Sequence, residues 1–297
     1  MSAEANSESL LAWAATSLLD PEARELASTV QWWALPSLGH DSSLKWPVAV
    51  TGVGPTLLLL HGFDSSFLEF RRLAPLLSDA HTLVIPDLYG FGFTPRPAQG
   101  PYGSEGVLTH LEALLEQLPP SIGVIGASMG GAVALELARR RPEQVDSLLL
   151  LDPAGLAGVA RPIPLPLAAL GVRFLSLPWV RRGLCRSAFA DPEDSVGPAE
   201  LEIASLHLRC PGWAESLSGF ARSGGFAGCG EPLPPQPIRV LWGEQDRVLG
   251  ANQRRQADAI LGDRIIPVPR CGHLLHLDQP KLVQEQWFAL QSHVHSA

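Results

Sequence analysis

Three side chains far apart in the chain have the types needed for acyl transfer. Gly126-Ala-Ser128-Met-Gly130 sets a serine between two glycines. The apolar run Ile122 to Ile125 before it reads as a buried strand, and Ala132 to Arg141 after it is a strong helix former. A serine on such a strand-to-helix turn presents its Oγ to a cleft, and the small residues two before and two after make room for it. The glycine–serine pattern alone also occurs in plain turns. Two later stretches set this one apart: Trp242-Gly-Glu-Gln-Asp246-Arg-Val248 and Cys271-Gly-His273-Leu-Leu-His276. A hydroxyl nucleophile needs a base to take its proton and an acid to hold that base, and His273 and Asp246 supply both. Asp152 is a rival acid, because it also follows a strand. His276 is a rival base, but the glycine before His273 gives the turn that suits a catalytic histidine.

Other chemistries find less support. Gly90-Phe-Gly92 lacks the third glycine and the helix of a dinucleotide site. Cys185, Cys210, Cys229 and Cys271 have neither Cys-x-x-Cys nor zinc-ligand spacing, so scattered thiols in a reducing compartment are expected. No metal and no cofactor is expected. The net charge of −8 argues against a nucleic-acid partner. The start of the chain lacks the basic, apolar pattern of a signal peptide, and no apolar run is long enough to span a bilayer. A cytoplasmic protein, or one peripheral on a membrane, is the expectation.

The elements that position these residues follow from composition and pattern. With 46% hydrophobic residues in 297, the chain can bury a large core. Ser9 to Leu19 and Pro21 to Trp33 read as helices broken at Asp20-Pro21, with Trp32 and Trp33 in the core or, as the alternative, at a lipid boundary. Thr56 to Leu60, Thr82 to Pro86, Ile122 to Ile125, Gln144 to Leu151, Ile238 to Trp242 and Arg264 to Val268 read as strands, and Phe67 to Leu77 and Ser104 to Leu118 as helices. From about Val159 to Pro237 prolines and glycines cluster and the alternation lapses, which predicts a lid inserted between two strands. The expected organisation is a core over 1–158, a helical lid over 159–236 and a second core segment over 237–297. Within the lid, Pro162 to Val180 is apolar, with Arg173 inside and Arg181, Arg182 and Arg186 following. It reads as a helix packed on the core or as a surface that meets lipid, arginines at headgroup level.

The order serine, acid, histidine is that of the α/β-hydrolases. Membership would give a mostly parallel central sheet flanked by helices, with the lid after the sixth strand. It would also put an oxyanion hole at the backbone N–H groups of Phe63, after His61-Gly62, and of Met129. His61 then reads as a hydrogen-bonding strut. His61, Asp64, Tyr89 and Phe91 are candidates for substrate contact from the core, as is His276. Trp213 and Phe220 are candidates from the lid. A serine at the elbow, where haloalkane dehalogenases and epoxide hydrolases carry aspartate, points to an acyl-enzyme and to esters as substrates.

Three stretches resemble one branch of that superfamily, the chlorophyll dephytylases: His61-Gly-Phe-Asp-Ser-Ser-Phe-Leu-Glu-Phe-Arg71, Leu206-His-Leu-Arg-Cys-Pro-Gly-Trp213 through Phe226, and Leu241 to Asp246 with Cys271 to His276. The lid stretch is the specific part, because lids diverge when substrates change. The resemblance implies hydrolysis of the phytyl ester of chlorophyll to chlorophyllide and phytol, with pheophytin as a further substrate. It also implies a photosynthetic, cyanobacterial thylakoid membrane as the setting, met through Pro162 to Arg186. A general carboxylesterase or lipase for other hydrophobic esters shares the same core features.

Overall fold

The computed structural model describes residues 3–35, 44–98 and 100–294. The amino-terminal helices are α1 (Ala3–Ser17) and α2 (Pro21–Ser28). Asp20 starts α2 by accepting the Ala23 N–H at 3.1 Å, with Pro21 in the first turn. The expected continuation of this helix to Trp33 fails. Val30–Ala34 is a strand, β1, pairing antiparallel with β2 (Lys45–Thr51). Adjacent tryptophans after a β-branched residue suit a pleated edge better than a helix. Trp32 and Trp33 are half-buried there, one on each face of the sheet, and not core residues.

The sheet continues through β3 (Thr56–Leu60), β4 (Thr82–Pro86), β5 (Ile122–Ala127), β6 (Val145–Leu151), β7 (Ile238–Gly243) and β8 (Ile265–Val268). Its spatial order is β1-β2-β4-β3-β5-β6-β7-β8; β2 meets β1 and β4 antiparallel, and every other pairing is parallel. β3 and β5 are buried at every position, as strands covered on both faces must be. Leu58, Leu60 and Val124 face one core layer, and Leu57, Leu59 and Ile125 the other. Between β3 and β4 the expected single helix is a 3₁₀ segment, Phe67–Arg72, followed by the short α3 (Ala74–Leu77). Pro75 lacks an N–H and is accommodated in the first turn of a restarted helix.

The layers over the sheet include α4 (Ser104–Leu115) and α5 (Met129–Arg140). Between β6 and β7 lies the insertion, with α6 (Leu165–Leu175), α7 (Pro178–Ala188), α8 (Pro192–Ser195), α9 (Pro198–Leu206) and α10 (Trp213–Ser223). Four of these five helices carry proline in the first turn, so the prolines that break the strand pattern also start the helices of the cap. The chain closes with α11 (Ala251–Leu261), α12 (Leu275–Asp278) and α13 (Pro280–Val294). The expected mostly parallel sheet with helices on its faces is borne out.

Candidate active site

Ser128 joins β5 directly to α5 with φ 52° and ψ −117°, a conformation that L-residues rarely adopt. Such a conformation costs on the order of 1–3 kcal/mol and persists only where its surroundings fix it. Here three backbone bonds fix it: Ser128 N–H to Leu151 O at 2.8 Å, and Ser128 O accepting from Gly131 at 2.9 Å and Ala154 at 3.0 Å. The flanking glycines are demanded by space. A Cβ at Gly126 would lie 2.3 Å from Gly130 O, and one at Gly130 would lie 2.1 Å from Leu60 O. The Ser128 Oγ makes no hydrogen bond to a described residue, and Ser128 lines a cavity of about 260 Å³ under the cap.

His273 lines the same cavity. Its Nδ1 donates to Asp246 Oδ2 at 2.9 Å, which leaves Nε2 as the acceptor nitrogen. Asp246 is held in turn, its Oδ1 accepting the Val248 N–H at 2.7 Å and the Leu249 N–H at 3.0 Å. The His273 N–H binds Ala188 O at 2.8 Å, so the imidazole loop is tied to the cap. Gly272 is required for contact, not for flexibility: a Cβ there would lie 2.6 Å from Ala188 O.

The rival acid, Asp152, sits behind this pair. Its Oδ1 accepts the Gly243 N–H at 3.0 Å, while the buried Oδ2 has no partner. Burial, with the Asp246 charge beside it, pushes the Asp152 carboxyl well above the usual range. One donor atom each from Asp152, Asp246 and His273 lies within 4.8 Å of the others, which is a metal-like grouping. The commitment of the imidazole N–H to Asp246 opposes a cation there.

The turn after β3 faces the elbow. His61 is wholly buried; its Nε2 accepts the Leu88 N–H at 2.9 Å and its Nδ1 donates to Gly62 O at 2.8 Å. Burial lowers its pKa to about 4, so it is a neutral strut between two strand-end loops, and it does not line the cavity that holds Ser128. Phe63 follows the Gly62 turn, and Met129 opens α5, where the first N–H groups have no intrahelical acceptor. Both residues border a second cavity of about 220 Å³, with Ala154, Phe220 and Phe226.

Other sequence-predicted contacts fall elsewhere. Asp64 borders the first cavity, but its oxygens are taken: Oδ1 by Trp213 Nε1 at 2.8 Å and His207 Nε2 at 3.1 Å, Oδ2 by Arg181 at 2.5 Å. Burial would raise its carboxyl, but these partners outweigh it and hold it below the usual range. Asp64 and Trp213 thus fasten the cap to the core. Tyr89 lines neither cavity; it is buried with its ring stacked on Tyr102 at 5.4 Å. Phe91 also stands behind the wall, its ring 5.8 Å from Phe63 and 5.0 Å from Phe220. Phe220 does reach the second cavity. His276 is fully buried on α12 against Phe70, and burial lowers its pKa to about 3.

Of the arginines that one of the two lid readings put at headgroup level, Arg181 turns onto Asp64 in a buried pair, where paired charge costs less than an unpartnered one, and Arg186 pairs with the exposed Glu193. Sequence reasoning missed Glu69, which lines the first cavity, accepts the Gly62 N–H at 3.0 Å and is pushed up to about 7 by burial. The available signal was one acid inside the apolar run Phe67-Leu-Glu-Phe70. It also missed Arg71, buried between Asp20 at 2.7 Å and Glu200 at 3.1 Å.

The sheet order, the strained serine and the loops around it define a class, and residues 57–286 match the alpha/beta hydrolase family: the chain belongs to it. Among particular relatives, it is 29% identical over 278 residues to the alpha/beta hydrolase domain-containing protein VTE7 of Arabidopsis thaliana, covering 88% of this chain and 83% of that one. It is 33% identical over 273 residues to the magnesium-chelatase 30 kDa subunit of Rhodobacter capsulatus, covering 86% and 88%. A solved structure described as a lipase from Acinetobacter baumannii superposes with a TM-score of 0.71 at 23% identity, over 100% of this chain and 97% of that one, which shows the shared fold.

Proposed function

We propose that the protein is a serine carboxylic-ester hydrolase whose substrate is the phytyl ester of chlorophyll, with pheophytin as a further substrate. The observation that carries the reading is that His273, hydrogen-bonded to Asp246, and the strained Ser128 line one capped cavity. In this mechanism His273 Nε2 takes the Ser128 proton as Oγ attacks the ester carbonyl. The Phe63 and Met129 N–H groups receive the oxyanion. The intermediate collapses with the proton passing from His273 to the leaving phytol oxygen, giving an acyl-enzyme. Water, deprotonated by His273, attacks the acyl carbon; the bond from that carbon to Ser128 Oγ then breaks as Oγ takes the proton back from His273, and chlorophyllide leaves as the acid. Asp246 fixes the imidazole tautomer and stabilises the imidazolium. The pigment class rests on the dephytylase-like stretches and on a cavity walled by Leu175, Leu184, Ile203 and Leu277, which suit an aliphatic chain.

Such a substrate is dissolved in lipid, and we assign the encounter to α6 and α7. Leu167, Leu170, Phe174 and Trp179 are exposed there, Trp179 by 66%. Residues 153–190 hold no acid, while Arg161, Arg173 and Arg182 are exposed. An apolar face ringed by arginine fits an anionic photosynthetic membrane surface.

One observation favours a second reading. The similarity to a chain named as a magnesium-chelatase subunit supports a role within a tetrapyrrole-handling assembly, with the serine idle. Purified protein given chlorophyll a in detergent is expected to yield a phytol-free pigment by chromatography, and Ser128→Ala to yield none. Turnover of p-nitrophenyl esters without pigment cleavage would favour a general esterase. Failure of Ser128 to react with a fluorophosphonate would favour the idle assembly subunit.

A further inference from the structure

Two cavities meet at the elbow, and their linings differ in a way that chemistry can use. The first, about 260 Å³, contains Ser128 and His273. The second, about 220 Å³, contains Met129 and Ala154 and is not lined by His273. Phe63 borders both. Resting on the ester-hydrolase reading above, the geometry points to a division of the substrate at Phe63: the alcohol arm lies in the His273 cavity, and a flat conjugated acyl arm enters the second cavity.

The assignment follows from where the proton must go. After Ser128 attack, the tetrahedral carbon carries an oxyanion, the alkoxy oxygen and the acyl chain. The oxyanion belongs to the Phe63 and Met129 N–H groups. The alkoxy oxygen leaves only when protonated, so it must face His273. The cavity lined by His273 therefore receives the alcohol, and the acyl chain takes the remaining direction, past the oxyanion donors.

The walls agree with this. Cap residues Leu175, Leu184, Ile203 and Ala204 give the first cavity an aliphatic side. Two of its ion pairs are internal, Arg71 with Glu200 and Arg181 with Asp64, and Glu69 accepts the Gly62 N–H, so these groups do not demand a polar ligand. The second cavity has aromatic walls. Phe220 stands 5.9 Å from Phe63 and 6.2 Å from Phe226, ring centre to ring centre. Gly155, Gly224 and Gly225 line the rest, so backbone approaches closely. Aromatic faces over a glycine floor suit the edge of a planar ring system.

Four esters test the division: phytyl and methyl esters of 1-pyrenebutyric acid and of butyric acid. Leu184→Trp fills the first cavity, and Ala154→Leu narrows the second. Leu184→Trp is expected to lower the phytyl-to-methyl ratio of kcat/KM about tenfold for either acid. Ala154→Leu is expected to lower the pyrenebutyrate-to-butyrate ratio about tenfold for either alcohol. Phe226→Ala, which widens the second cavity, shifts that last ratio the opposite way and serves if Ala154→Leu folds poorly. Crossed effects, or equal losses on all four esters, would overturn the division while leaving the hydrolase reading intact. Failure of the wild-type protein to cleave any of the four would remove both.

Discussion

At the residue scale, two carboxylates compete for one role, and their surroundings separate them. Asp246 has both oxygens occupied by donors, one of them the imidazole of His273. Asp152 is buried and half-partnered, with its carboxyl pushed well above the usual range by burial and the neighbouring Asp246 charge. Asp246→Asn is expected to lower turnover on the order of 10⁴-fold, the scale seen when such a carboxylate is lost. Asp152→Asn should change turnover little, because His273 Nδ1 bonds Asp246 and the amide oxygen can still accept the Gly243 N–H; steady-state kinetics on one soluble ester checks both. Glu69 makes a pH prediction. Burial lifts its carboxyl from 4.5 to about 7, so the folded protein keeps a proton that the unfolded chain gives up. Its contribution is intact below about pH 4.5 and is lost as the pH rises through about 7. That difference corresponds to on the order of 3 kcal/mol. Glu69→Gln should therefore gain on the wild type in urea melts as pH goes from 5 to 8. The serine, acid and histidine were legible in the sequence because each sits in a short local pattern. Arg71 and Asp64 were not understood, because their partners lie up to 149 residues away and the pairing is a property of the assembled fold; Glu69 was not, because its burial is a property of that fold too.

At the element scale, strands were easier to read than their neighbours. β3, β5 and the Leu148 to Leu151 part of β6 announce themselves as continuous apolar runs. β1 was hidden, since a half-buried edge strand of five residues resembles the end of a helix in composition. The lid's extent was visible from its prolines, but not which of its arginines face inward. The outward face of α6 and α7 carries the membrane prediction. Leu170→Glu combined with Trp179→Glu should abolish flotation with vesicles containing anionic lipid. It should spare hydrolysis of a short soluble ester, since neither residue lines a cavity. Unchanged flotation would reject the docking face.

At the scale of the whole molecule, core and cap are joined by a few buried polar clamps. Asp64 takes hydrogen bonds from Arg181 on α7, His207 after α9 and Trp213 on α10. Arg71 and Arg72 grip Glu200 on α9, and Arg96 donates to Ser216 on α10 at 3.1 Å. Removing one member of a buried set strands the others without partners. Asp64→Ala should cost about 3 kcal/mol in urea denaturation and should open the cap to proteolysis before the core.

The placement of Asp246 and His273 after the cap also bears on how the protein is born. In the proposed mechanism, a ribosome delivers the nucleophile first, then the whole insertion, and only then Asp246 and His273, which would arm it. A nascent chain stopped short of β7 has Ser128 without His273, whose loop docks onto Ala188 of the cap only once it has been made. On that reading reactivity arrives last in synthesis, after the cover over the site has been made.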